Sequence, residues 1–157
     1  MTPLPRPASP APVPREPSLQ ARVAARRRCG GVQVLYVVPD AMGSRDLALY
    51  CAERGVDLTW APDIAQALGV ETSRAPDLVH VAADACTPAH VEQLRALRAA
   101  HPAARLVVET WRTTIPSQVR LLDLGADAVV PAPCPVALLL ALAGSAGRRV
   151  APAPAAR

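Results

Sequence analysis

The 157 residues are 51% hydrophobic, enough for one domain with its own core and too few for two comfortable ones. Net charge is +4 but segregated: residues 1–31 carry six Arg and one acid and 147–157 carry three Arg, together +8, whereas 32–146 hold eight Arg and twelve acids, −4. The basic balance belongs to the flanks, and the most apolar segment, VALLLALAG at 136–144, is less than half the roughly 20 residues of a spanning helix, so no membrane association is expected.

In chain order, MTPLPRPASPAPVPREPSLQ has a proline every two or three positions and few bulky apolar residues. Such a segment cannot bury enough surface to offset the entropy of ordering, so residues 1–31 are expected to be a disordered Pro/Arg-rich arm, and 147–157 a disordered tail. The prolines also interrupt the apolar stretch a secretory signal would need, which makes a cytoplasmic location the expectation. Arg26, Arg27 and Arg28 offer the one candidate contact for nucleic-acid phosphates, but an arginine run beside a disordered arm reads first as a solubilising stretch.

From residue 32 the pattern becomes strand runs alternating with helical segments. VQVLYVV (32–38), VDLTW (56–60), DLVHVA (77–82), RLVVET (105–110) and ADAVV (126–130) read as strands; SRDLALYCAER (44–54), DIAQALGVETS (63–73), PAHVEQLRALRAA (88–100), IPSQVRLLDL (115–124) and PVALLLALAG (135–144) read as helices. Strands without a polar face need cover on both sides, so the predicted fold is α/β, a three-layer α/β/α sandwich around a five-stranded parallel sheet spanning 32–146.

Ligands of such sheets bind beyond the carboxyl ends of the strands. Here those ends carry Pro39 and Asp40, Pro62 and Asp63, Ala82 to Asp84, Thr110, and Ala132 and Pro133. No glycine-rich phosphate loop follows the first strand, and no Ser/His/Asp constellation is present. Cys29, Cys51, Cys86 and Cys134 have no CxxC or Cys/His ligand spacing; Cys86 and Cys134 fall near His90 at one end of the sheet, but their spacing supports neither a metal nor a redox site. No cofactor or zinc is expected.

VLYVVPD (34–40), APDIAQAL (61–68), PDLVHVA (76–82), a threonine closing the fourth strand and LDLGADAVVPAP (122–133) resemble the five sequence blocks of the receiver domain of two-component response regulators. From Pro76 to Leu97 and from Thr110 to Gly125 the family spacing fits without gaps. The resemblance implies a CheY-like, flavodoxin-like strand order of 2-1-3-4-5. It also implies a site in which two acids after the first strand hold Mg²⁺, an aspartate ending the third accepts a phosphoryl group, and a hydroxyl after the fourth and a lysine after the fifth bind its oxygens.

Carried over residue by residue, the acid pair falls on Pro39 and Asp40, the phosphoacceptor on Ala82, the hydroxyl on Thr110, the lysine on Ala132 and the aromatic switch of the fifth strand on Val129. An alanine methyl cannot be a nucleophile. The expectation is therefore a stand-alone pseudo-receiver, not an enzyme, that acts as a phosphorylation-independent interaction module in signal transduction. The alternatives are a weak phosphoacceptor at Asp84, two residues past Ala82, or a flavodoxin-like small-molecule-binding domain, against which the absence of the Asp-x-His-x-x-Gly motif of cobalamin-binding domains counts. Trp111, at the mouth of the former pocket, is expected to fill it or to anchor a partner.

In receivers the fourth helix, fifth strand and fifth helix form the usual output and dimer surface. Here PVALLLALAGSAG (135–147) has no charge, and Leu138, Leu139, Leu140 and Leu142 are too closely spaced to face one sheet together. One or two of them are expected outside, making with Val129 an apolar patch for a protein partner or a second copy.

Overall fold

Runs such as VQVLYV bury side chains on both faces, which an extended chain achieves only inside a covered parallel sheet. In the computed structural model, which describes residues 31–39, 44–72, 74–83 and 87–149, the strands are β1 (Val32–Val37), β2 (Val56–Ala61), β3 (Leu78–Ala82), β4 (Arg105–Thr110) and β5 (Ala128–Pro131). All neighbours pair in parallel, in the order β2-β1-β3-β4-β5. The fold class and strand order are those expected. Residues 1–30 of the expected 1–31 arm, residues 150–157 of the expected 147–157 tail, and Arg26, Arg27, Arg28, Asp40, Asp84 and Cys86 lie outside the described residues.

The helices are α1 (Ser44–Glu53), α2 (Ile64–Gly69), α3 (Pro88–Ala100), α4 (Ile115–Asp123) and α5 (Val136–Arg149). None of the described helices is long and apolar enough to cross a membrane. Side-chain caps set two starts: Asp63 accepts the Gln66 amide at 2.7 Å, and Thr87 accepts that of His90 at 3.2 Å. Helix α2 is shorter than the expected 63–73, because Val70 turns to extended backbone. Helix α5 runs past residue 146 to Arg149. Nothing in that stretch breaks a helix, and Gly147 permits its close approach to β1, where an added Cβ would lie 2.5 Å from Val32 Cγ2.

Alternation along each strand separates two cores. Leu35, Val37, Val79, Val81, Leu106 and Val108 face α2, α3 and α4 through Ile64, Leu94, Leu97 and Leu121. Val34, Leu78 and Val107 face α1 and α5 through Cys51, Leu139, Ala143 and Ala146. Two aspartates that precede strands fix the register. Asp77 accepts the Gln33 amide at 2.8 Å, Asp127 accepts that of Leu106 at 2.8 Å, and each also holds an arginine, Arg74 or Arg98.

Candidate functional site

Parallel strands of similar length end together, so the loops after them enclose a shared hollow. A cavity of about 360 Å³ lies there, with Val37, Pro39, Ala82, Ala83, Thr110 and Ala132 among its walls and His90, Gln93, Asp63 and Glu109 at its polar margins. Ala82 ends β3, beside Glu109 of β4 in register, and Ala132 follows β5 with its amide on the Thr110 carbonyl at 2.9 Å. Thr110 is buried, and its hydroxyl accepts the Arg112 amide at 3.1 Å. The fold thus brings Ala82, Thr110 and Ala132 to one place; Asp40 and Asp84 fall outside the described residues.

The described part of this hollow does not fit Mg²⁺, which needs several oxygen ligands in near-octahedral order. Pro39, Ala82 and Ala132 present hydrocarbon, and one Asp63 oxygen already caps α2. Trp111 borders the hollow but remains 77% exposed, so it does not fill the site as one expectation held. It opens a run, residues 111–116, that is exposed throughout. Trp60 instead packs against the second core and donates its indole N–H to the Val38 carbonyl at 3.1 Å.

The leucines of α5 also differ from expectation. Leu139 is buried and Leu138, Leu140 and Leu142 are half-buried against the second core, while Val129 packs half-buried against the first. The small alanines let the helix lie close enough to the sheet to cover flanking leucines as well. Exposed apolar bulk sits on α4 instead: Ile115, Val119 and Leu122, at helical spacing on one stripe, with Trp111 just before them.

A buried polar group that sequence reasoning passed over lies on the other side of the sheet end. Nε2 of His80 on β3 is 2.9 Å from Oε2 of Glu109 on β4, whose Oε1 accepts the Cys134 amide at 2.9 Å. Tyr36 on β1 stands edge-on to the imidazole, ring centres 5.1 Å apart. His80 is fully buried, and burial pushes its pKa down to about 4, so the ring is neutral and Nε2–H donates to the carboxylate. Burial, and then the Glu109 charge, push the Cys134 thiol up to about 11 and the Tyr36 phenol to about 12. The available signal was strand parity: His80 and Glu109 share one face with the apolar Leu78 and Val107 of the same strands.

No family model matches the chain, and no curated protein does. Solved structures do. The receiver domain of the Francisella response regulator 1452 superposes with a TM-score of 0.63 at 19% identity, covering 77% of this chain and 100% of that one. A CheY-like receiver domain protein from Methanospirillum hungatei gives 0.62 at 17%, covering 76% and 95%. An orphan response regulator of H. pylori gives 0.62 at 17%, covering 76% and 98%. With the sheet order and the loop-enclosed hollow, these likenesses show that the chain carries the fold of response-regulator receiver domains.

Proposed function

We propose that the chain is a pseudo-receiver, a non-enzymatic module that works in signal transduction by binding a protein partner without being phosphorylated. The observation that carries this reading is Ala82: the strand end where receivers place their phosphoacceptor is a methyl group beside a largely hydrocarbon hollow. Ala132, where the lysine would neutralise phosphoryl charge, removes a second part of the same chemistry. The stripe of Ile115, Val119 and Leu122 on α4 supports binding through the face that receivers use for output.

The test is an amide NMR spectrum of the protein with Mg²⁺ and either acetyl phosphate or beryllofluoride. Shifts at residues 80–90 and 108–114 are expected to stay unchanged. Localised shifts there, lost in Asp84→Ala, would replace this reading with that of a weak phosphoacceptor. The cavity of about 360 Å³ favours a second reading, a small-molecule site, since its size falls in the usual range for ligand pockets. Thermal-shift screening of small metabolites against wild type and Ala83→Trp separates the two, because a ligand in the hollow would be lost in the variant.

A further inference from the structure

We propose that His80, Glu109 and Cys134 form a binding site for one divalent ion of the zinc class, taken up by an imidazole nitrogen, a carboxylate oxygen and a thiolate sulfur where β3, β4 and the β5–α5 connection meet. The three ligand atoms all lie within 4.8 Å of one another although they come from three separate segments. Zinc bonds of about 2.0–2.3 Å place tetrahedral ligands roughly 3.5 Å apart. His80 and Glu109, 2.9 Å apart, therefore need to part slightly, and the Cys134 sulfur needs to swing inward. That sulfur contacts the Pro135 carbonyl at 3.7 Å and is also within reach of the Leu139 backbone amide, both of which it gives up on swinging inward.

The charges of the group suit a divalent ion. The hydrogen bonds described for the buried Glu109 carboxylate come from neutral groups, the imidazole and the Cys134 amide. A dication joined by one carboxylate and one thiolate leaves no net charge, which a buried site favours. Binding breaks the S–H bond of Cys134 and releases that proton to water, and the His80 ring proton moves from Nε2 to Nδ1 so that the Nε2 lone pair meets the ion, with no change of oxidation state. The mixed sulfur, nitrogen and oxygen set selects zinc or cobalt over magnesium and calcium. Three protein ligands leave a fourth position for water, and Glu109 also borders the cavity, through which an ion can arrive. This inference stands apart from the pseudo-receiver reading, since it uses none of Ala82, Thr110 or Ala132.

The test is titration of the reduced, chelator-stripped full chain with Co²⁺. One equivalent is expected to produce thiolate-to-cobalt charge-transfer absorption that Zn²⁺ then removes by displacement. The absorption is expected to vanish in Cys134→Ser, to persist in Cys51→Ser, and to need about tenfold more metal or beyond in Glu109→Gln. In wild type alone, Zn²⁺ is expected to move the amide signals of His80, Glu109 and Cys134 together. Charge-transfer absorption that never develops, that survives Cys134→Ser, or zinc-induced shifts that leave these three amides in place would each overturn the proposal.

Discussion

His80 sits where the surrounding strand offers only Leu, Val and Ala, and its protonation is coupled to folding. The unfolded chain takes up a proton near the ordinary value of 6.5, whereas the folded ring resists it until about 4. The folded state thus binds fewer protons between those values, and its stability, full above pH 6.5, falls as pH drops through that window by up to about 3 kcal/mol. Chemical denaturation with chelator present is expected to show this decline in wild type. His80→Gln is expected to be less stable at pH 8 and to lose most of the slope. His101, also shifted down by burial, contributes to the same window in both proteins, so the difference between the two isolates His80. An unchanged slope in the variant would mean that the ring titrates normally in the fold.

Helices α4 and α5 exchange the roles that their composition suggests. Helix α5, apolar from Val136 to Gly144, spends its leucines on the sheet: Leu139 is 2% exposed and its neighbours in the sequence flank the same core. Helix α4, with Arg120 and Asp123, keeps Leu121 inside and leaves Ile115 75% and Val119 49% exposed. Paired substitutions separate the two. Val119→Arg is expected to change the folding stability by no more than the few tenths of a kcal/mol typical of surface changes while weakening a dimer or partner complex about tenfold. Leu139→Arg buries an unpaired charge and is expected to prevent stable folding. Light scattering and thermal melts on both variants check this; a Val119→Arg protein that melts early would show that α4 is packed, not available.

At the scale of the whole molecule, the two cores share every central strand. Val34 and Leu35, Leu78 and Val79, and Leu106 and Val107 point alternately into opposite layers, so losing one layer of helices strips cover from strands the other layer also needs. Unfolding is therefore expected to be a single cooperative transition. In a Trp111→Phe background the fluorescence of Trp60, half-buried in the second core, is expected to trace the same denaturation curve as far-UV circular dichroism. Separate midpoints would mean that the layers unfold independently.

The element order, the parallel sheet and the receiver-like arrangement were legible in the sequence because they rest on local signals. Apolar strand runs, capping residues such as Thr87, and the aspartates that open β3 and β5 each act within a few residues of where they are read. The alanines at 82 and 132 were legible for the same reason, since spacing from a strand end fixes their place. Burial was not. Whether Leu138 or Ile115 meets solvent depends on how closely α5 approaches the sheet and which side of α4 faces it, and both are set by packing against residues far along the chain. The group of His80, Glu109 and Cys134 was invisible for a stronger reason: its members are separated by 29 and 25 positions, and only the β3–β4 pairing and the path after β5 bring a nitrogen, a carboxylate and a thiol together. Sequence periodicity reports which face a residue occupies, but only tertiary structure decides what it meets there.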